Sequence, residues 1–155
     1  MILRNCMKLF SPKYYLPICR VLSSWLFIPT CVSLFAMILW ISLFGPIDHI
    51  QGLAFRWIYL HVPTAFASMA LYFILALCQM VHWGLHIRVM SYIADACAFV
   101  GLVCSLIAIV SGAAWGHATW GVWWVWDPRL TTELMLMVFY IVFIMVRRAA
   151  AQYQV

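Results

Sequence analysis

A dense group of tryptophans is the part of the sequence with the clearest chemical meaning. Five of the nine tryptophans in the 155-residue chain lie within twelve positions: Trp115, Trp120, Trp123, Trp124 and Trp126. Burying one tryptophan removes about 150–250 Å² from water, which is worth roughly 4–6 kcal/mol at about 25 cal/mol per Å². Five rings left in water would lose most of this energy. They must therefore lie at a membrane interface, pack on helices, or cover a flat apolar ligand.

The residues between and after these rings favour a shaped surface for a ligand. Gly116 and Gly121 separate the rings, and Asp127 and Arg129 follow them. If the segment is helical, positions 120, 123, 124 and 127 share one face and form a stacking platform with a polar edge. A porphyrin suits such a platform, because its ring is broad and apolar and its propionates need a cationic edge such as Arg129. An aromatic belt at the lipid headgroups remains the alternative explanation.

His61 is the residue best suited to bind a metal. It lies one turn inside a predicted membrane helix, at the predicted face of the tryptophans, and neutral imidazole is a common axial ligand of haem iron. A lone histidine in an apolar helix is more often hydrogen-bonded to a neighbouring helix, so the residues alone leave both roles open. His49 and His117 are predicted in outer loops. His82 and His86 are one turn apart on the other side, with no third ligand nearby.

Asp127 has a structural role that is compatible with a place at the site. Its position directly before Pro128 is typical of a helix N-cap followed by proline at the first helical position. We therefore expect one carboxylate both to cap the last helix and to orient the tryptophan surface.

The chain that carries these residues is predicted to be a polytopic membrane protein. Hydrophobic residues make up 68% of it and charged residues only 8%, with a mean hydropathy of +1.03, whereas a soluble domain is about half apolar. A membrane span requires ~20 apolar residues, usually as a helix. We predict one all-α membrane domain over residues 1–155, with a tryptophan-rich loop at 115–129 and four transmembrane helices at about 21–44, 57–81, 92–114 and 130–146.

The positive charges predict the orientation of this helical bundle. Two cations, Arg56 and Arg129, fall on one side of the predicted spans. The other side has the remaining seven: Arg4, Lys8, Lys13, Arg20, Arg88, Arg147 and Arg148. Because cytoplasmic segments are enriched in Lys and Arg, both termini are expected in the cytoplasm. The tryptophan-rich loop and the turn around Asp48 then face outward together.

Composition and motifs exclude several classes of function. No basic face or recognition motif accompanies the net charge of +5, so nucleic-acid binding is not expected. The six cysteines form no Cys-x-x-Cys pair, which argues against thiol redox chemistry. The chain has no Gly-x-x-x-x-Gly-Lys-Ser/Thr loop and therefore does not itself hydrolyse ATP.

Three segments of the chain resemble haem exporter protein C, a membrane protein family of the cytochrome c maturation system. The most specific is the run Trp-Gly-x-x-x-Trp-Gly-x-Trp-Trp-x-Trp-Asp-x-Arg-Leu-Thr-x-Glu-Leu, from Trp115 to Leu134. The others are Tyr-Leu-His-Val-Pro at 59–63 and Ser-Gly-Ala-Ala-Trp-Gly at 111–116. The similarity extends through nearly the whole chain.

This resemblance implies a haem-binding and haem-export subunit that is not an enzyme. It implies non-covalent haem b with His61 as an axial ligand of the iron, beside the five loop tryptophans, Asp127 and Arg129. It also implies that haem is presented at the outer, periplasmic face to a haem chaperone. Further membrane subunits and an ABC-type ATPase are the other partners that it implies.

The same resemblance leads us to expect a truncation after the fourth helix. Members of the family have six spans, with a second axial histidine between the fifth and the sixth, and no second ligand is identifiable in this chain. Two alternatives therefore stay open at this point. One is a haem lyase-type subunit of the same superfamily, and the other is a truncated, non-functional remnant.

Overall fold

A computed structural model describes residues 12–152. Over this range the chain forms four long α-helices, one short 3-10 helix and no β-strand. The long helices are α1 (Pro12–Phe44), α2 (Ile58–Leu85), α3 (Arg88–Trp120) and α4 (Pro128–Gln152). The 3-10 helix, Leu53–Trp57, leads directly into α2. The predicted all-α architecture is confirmed.

Each of the four helices is long and apolar enough to cross a membrane. Even α4, with 25 residues, extends about 37 Å at 1.5 Å per residue, which exceeds the ~30 Å of hydrocarbon. This confirms the polytopic helical bundle with four membrane-spanning helices within the described range. The helices extend beyond the predicted spans, because those spans were bounded by apolar composition whereas backbone hydrogen bonding continues into polar residues.

The tryptophan-rich segment shows the largest difference from the predicted boundaries. We expected a loop over 115–129, but α3 continues through Trp120 and α4 begins at Pro128, so only 121–127 lies outside the helices. Gly121 ends α3 in the left-handed conformation, with φ 77°, and its N–H bonds to the carbonyl of His117. Glycine adopts this conformation without steric cost.

The core of the bundle lies where α3 packs between α2 and α4. The buried face of α3 consists largely of small residues, which let neighbouring helix backbones approach closely: Ala94, Ala98, Gly101, Ala108 and Gly112. Tyr140 of α4 is fully buried against Gly101, and its hydroxyl donates to the carbonyl of Ser68 on α2 at 2.7 Å.

Helix α1 lies outside this core. None of the residues in its apolar window is buried within the protein, as expected of a helix that faces lipid. Arg56 joins its C-terminal end to the 3-10 helix by donating to the carbonyls of Gly45, at 3.0 Å, and Ser42. An uncapped helix C-terminus has free carbonyls, which a cation stabilises.

A polar cluster joins α3 and α4 at the end of the bundle away from the tryptophans. Arg147 donates to both carboxylate oxygens of Asp95, at 2.7 Å each, and to the hydroxyl of Ser91 at 2.7 Å. Both side chains of the ion pair are more than one-third exposed. The cluster therefore stabilises the contact between the two helices without the desolvation cost of a fully buried pair.

Candidate functional site

His61 is held in a defined orientation by the neighbouring helix. Its Nδ1 lies 2.8 Å from the backbone carbonyl oxygen of Ala108 on α3. A carbonyl can only accept a hydrogen bond, so Nδ1 carries the proton and Nε2 keeps its lone pair. The same carbonyl–imidazole arrangement fixes the tautomer and the ring orientation of histidines that bind metals. His61 therefore presents Nε2 in a defined orientation.

Gly112 makes this approach of His61 possible. A Cβ atom at position 112 would lie 2.8 Å from Cε1 and 3.0 Å from Nδ1 of His61, and 3.2 Å from Cδ2 of Leu130. Any side chain larger than hydrogen would thus displace the imidazole from Ala108. Gly112 belongs to one of the quoted motifs, but its sequence context alone assigned it no role.

The ring of His61 opens onto a cavity of about 280 Å³ at the tryptophan end of the bundle. The predicted site residues that line it are His61, Trp115, Trp120, Asp127 and Arg129. Apolar residues of α2, among them Phe66 and Met69, also line it. The structure thus brings together one candidate iron ligand, two aromatic rings and one ion pair at a mostly apolar surface.

Trp115 connects this cavity to the turn that precedes α2. Its ring centroid lies 5.9 Å from that of His61, and its indole N–H donates to Oε1 of Gln51 at 2.9 Å. The Gln51 turn is itself ordered by Asp48, whose carboxylate accepts the N–H groups of Ile50 and Gln51 at 2.9 and 2.8 Å. The expectation that this turn and the tryptophans lie at the same end of the bundle is confirmed.

The single helical platform expected from positions 120, 123, 124 and 127 does not form. Because α3 ends at Trp120, the later tryptophans follow an irregular backbone. Trp123 stacks on His117 with centroids 4.3 Å apart, and Trp124 packs edge-on against Trp126 at 5.5 Å. Trp123, Trp124 and Trp126 do not line the cavity of His61. Trp120, Trp123 and Trp126 are 58%, 61% and 75% exposed.

Asp127 caps α4 as predicted. Its Oδ1 accepts the N–H of Leu130 at 2.8 Å, while Oδ2 accepts Nε and Nη2 of Arg129 at 3.2 and 2.9 Å. The hydrogen bond from the Leu130 amide, together with Arg129, holds the pKa of the Asp127 carboxyl below its usual value. The side chain of Arg129 is 79% exposed, and most of its N–H groups remain available to a second anion at the mouth of the cavity.

Comparison with known proteins identifies the family of this chain. A sequence model of heme exporter protein C matches residues 5–154, which include every residue of the cavity. The chain belongs to the haem exporter protein C family. It is 40% identical over 130 residues to heme exporter protein C of Escherichia coli K12, and 38% identical over 131 residues to that of Haemophilus influenzae. Each match covers 84% of this chain and 53% of the relative.

A plant relative extends the comparison beyond bacteria. A mitochondrial protein of Marchantia polymorpha is 34% identical over 112 residues, which are 72% of this chain and 49% of the relative. Its name describes it as ccmC-like and assigns it provisionally to cytochrome c biosynthesis. The chain spans about half the length of these curated members of the haem exporter protein C family. Together with the four apolar helices, the matches identify a multi-pass membrane protein.

The other histidines of this family member lie outside the cavity of His61. His117 stacks on Trp123, and His49 is exposed in the turn before α2. At the opposite end, Nδ1 of His82 bonds to the carbonyl of Ile87, and His86 ends α2 in the left-handed conformation. Both His82 and His86 thus contribute to a helix terminus. In the part of the chain that the structure describes, no three His, Cys, Asp or Glu residues form a metal-ion site.

Glu133 is, like Gly112, a residue of the cavity to which the sequence alone assigned no role. It lies one turn below Leu130 in α4, is only 8% exposed, and contributes to the cavity wall. Its Oε1 lies 2.7 Å from the hydroxyl of Ser68 on α2. The available signal was a carboxylate inside a predicted membrane span, which is costly unless it has partners or a function.

Proposed function

We propose that this chain binds haem b non-covalently in the cavity of His61, with Nε2 of His61 as an axial ligand of the iron. The observation that carries the proposal is the hydrogen bond between Nδ1 and the carbonyl of Ala108. It leaves Nε2 as the free nitrogen of a ring that faces a largely apolar cavity. Iron coordination requires such an unprotonated, oriented imidazole nitrogen.

The cavity is large enough for only part of a haem. Its volume of about 280 Å³ lies below the roughly 300–1,000 Å³ of sites that enclose a drug-sized ligand. A porphyrin would therefore be only partly inside, with its iron toward His61 and Trp115 and Trp120 against its apolar faces. Trp123, Trp124 and Trp126 would cover the part outside, and burial of the exposed rings of Trp123 and Trp126 would favour binding.

Arg129 and Asp127 supply the polar edge of the proposed site. Arg129 would bind a haem propionate through N–H groups that Asp127 does not use. Asp127 would hold the guanidinium at the cavity mouth, so that the two residues act together.

For the whole protein we propose a transport and assembly role in cytochrome c biogenesis. The names of the bacterial relatives refer to haem export, and that of the plant relative refers to cytochrome c biosynthesis. The chain would hold haem at the periplasmic face of the cell inner membrane and present it to a haem chaperone. Other membrane subunits and an ABC-type ATPase would be its further partners. The excess of Lys and Arg on the side of the spans that holds both termini supports a cytoplasmic location of the termini.

The experiment that tests this proposal compares haem retention in three preparations from haem-replete cells. The wild-type chain should show a Soret band after purification, and His61→Ala should lose most of it. His49→Ala is the matched control, because His49 is exposed at the same end of the bundle and lies outside the cavity. If the wild-type and control proteins carry no more haem than His61→Ala, this chain does not bind haem through His61.

A further inference from the structure

A second cavity lies between the C-terminal part of α1 and the 3-10 helix that leads into α2. Its volume is about 330 Å³, and apolar side chains form most of its walls. It shares no residue with the cavity of His61. We call it the α1 groove, and its walls include Ile38, Ile41 and Ser42 of α1 and Leu53, Arg56 and Trp57 of the 3-10 helix.

Arg56 is the charged residue of the α1 groove, and α1 holds its guanidinium in place. Its Nε donates to the carbonyl of Gly45 at 3.0 Å, and its Nη1 donates to the carbonyl of Ser42. Both acceptors are backbone groups, so neither bond neutralises the positive charge. The two ion pairs among residues 12–152 join other side chains, Asp127 with Arg129 and Asp95 with Arg147. Neither bond of Arg56 uses Nη2, whose N–H groups are available to an anion.

The apolar walls of the α1 groove indicate which kind of anion fits. Ile38 is 51% exposed and Leu53 62% exposed within the protein, and a small hydrophilic anion would cover neither of them. Trp57 follows Arg56 directly, and tryptophan is enriched in membrane proteins at the level of the lipid headgroups. The groove thus combines a cation at its polar end with apolar walls along a membrane helix. A phospholipid carries the complementary groups, a phosphate and an acyl chain, in one molecule.

We propose that the α1 groove binds an anionic phospholipid, with the phosphate at Arg56 and the upper part of one acyl chain against the apolar walls. A guanidinium group binds phosphate oxygens through paired hydrogen bonds. A volume of about 330 Å³ accommodates only part of a lipid, so the remainder lies in the bilayer. None of the described residues that line the groove is a carboxylate that could pair with the amine of a zwitterionic headgroup. Phosphatidylglycerol is therefore the expected class of lipid.

The bound lipid attaches α1 to the remainder of the bundle. None of the residues in the apolar window of α1 is buried within the protein, and the two bonds of Arg56 hold only the C-terminal end of this helix. A lipid that contacts α1 and the 3-10 helix together adds a second connection between them. This inference does not depend on haem binding.

The test measures binding of phosphatidylglycerol to the purified chain in detergent. Native mass spectrometry should detect the lipid on the wild-type protein, and adding it to delipidated protein should raise the unfolding temperature. Inorganic phosphate should not raise this temperature, because it cannot cover the apolar walls, and phosphatidylethanolamine should bind more weakly. A wild-type protein that does not bind phosphatidylglycerol overturns the proposal. Equal stabilisation by inorganic phosphate or by phosphatidylethanolamine also overturns it.

Two substitutions test the phosphate contact and the apolar walls separately. Arg56→Gln should lower the affinity for phosphatidylglycerol at least about tenfold, and Arg56→Lys should restore part of it, because lysine keeps the charge without the planar fork. Ile38→Trp should lower the affinity as well, since the larger ring fills the groove and leaves the bonds of Arg56 intact. Leu39→Trp is the matched control, because Leu39 is exposed on α1 and does not line the groove.

The Ile38→Trp variant separates lipid binding from a purely structural role of Arg56 at the end of α1. Wild-type affinity in either Ile38→Trp or Arg56→Gln overturns the proposal, as does an equal loss in Leu39→Trp. If Arg56→Gln does not fold, the comparison of Ile38→Trp with Leu39→Trp decides by itself. A lipid-free wild-type dimer that Ile38→Trp converts to a monomer would mean that a second copy of this chain occupies the groove, which also contradicts the proposal.

Discussion

The imidazole Nδ1 of His61 donates a hydrogen bond to the backbone carbonyl of Ala108, 2.8 Å away on the adjacent helix. This bond fixes the direction in which Nε2 points and leaves it free for coordination. It also explains why α3 carries glycine one turn after Ala108, where the His61 ring packs against the backbone. The proposed ligand and the carbonyl that orients it thus come from two helices, α2 and α3, that pack against each other.

Replacement of Gly112 by alanine should disrupt this support. The new Cβ would lie 2.8 Å from His61, so the ring must move away from Ala108, and the protein should lose about 1–3 kcal/mol of stability. Haem content should fall with it. Thermal unfolding in detergent and the Soret-to-protein absorbance ratio measure the two effects.

Gly84→Ala is the matched control for this substitution. A Cβ at Gly84 meets no atom within 4 Å, and alanine in an exposed helix is about 0.5–1 kcal/mol more favourable than glycine. Gly84→Ala should therefore be neutral or stabilising and retain haem. Equal unfolding temperatures and equal haem contents of the two alanine variants would contradict the packing role of Gly112.

Loss of the Gln51 side chain should loosen Trp115. Gln51→Ala removes the acceptor of the indole N–H, at a cost of about 0.5–1.5 kcal/mol. The ring that packs beside His61 should then become more mobile, and haem should dissociate faster. Stopped-flow transfer of haem to apomyoglobin measures this rate, with His49→Ala in the same turn as the control. A rate identical to that of the wild type would mean that Gln51 does not position the ring.

Asp127 both caps α4 and forms an ion pair with Arg129, and two substitutions separate these roles. Asp127→Ala removes both and should destabilise α4 by about 0.5–2 kcal/mol, whereas Asp127→Asn keeps a good N-cap and loses only the charge. We therefore expect Asp127→Asn to unfold near the wild-type temperature but to bind haem more weakly, because Arg129 is no longer held. Destabilisation of Asp127→Asn as large as that of Asp127→Ala would contradict the capping role.

The acid dependence of stability follows from the same carboxylate. The pKa of Asp127 is lowered in the folded protein, chiefly by the Leu130 amide, so the unfolded chain binds the proton more readily. The contribution of Asp127 to the stability of the folded protein is then fully present above its ordinary pKa of about 3.9. It is lost as the pH falls through the lower pKa that Asp127 has in the folded protein. Unfolding temperatures of the wild type and Asp127→Ala should therefore converge only below about pH 4. Convergence at neutral pH would contradict this account.

The ion pair at the opposite end should stabilise the bundle without affecting haem. Arg147→Ala removes three hydrogen bonds between α3 and α4, and because the pair is partly exposed we expect a loss of about 1 kcal/mol. Arg148→Ala, at the exposed neighbouring position, should have little effect. Circular dichroism melts measure both. A fall in haem occupancy with Arg147→Ala at a temperature where the protein is folded would contradict the separation of the two ends.

The sequence predicted the class of fold and five of the residues that line the cavity, because these depend on signals that sequence carries directly. Long apolar runs require membrane helices, and Asp127-Pro128 marks a helix start. The tryptophan platform could not be predicted correctly, because the end of α3 depends on the left-handed conformation of Gly121. Ser68 bonds to Glu133, 65 residues later in the chain, and Gly112 packs against His61, whose own partner Ala108 lies 47 residues after it. Helical periodicity does not contain these pairings.

The most direct test of the central claim, coordination of haem iron by Nε2 of His61, is rescue of a His61→Gly variant by imidazole. This variant should be nearly haem-free as purified, because the axial nitrogen is missing. Reconstitution with haem and free imidazole should restore the wild-type Soret maximum, since imidazole can occupy the space left beside Gly112. The same treatment of the haem-loaded His49→Gly control should change nothing. A His61→Gly protein that retains haem with the wild-type Soret maximum in the absence of imidazole would contradict the claim.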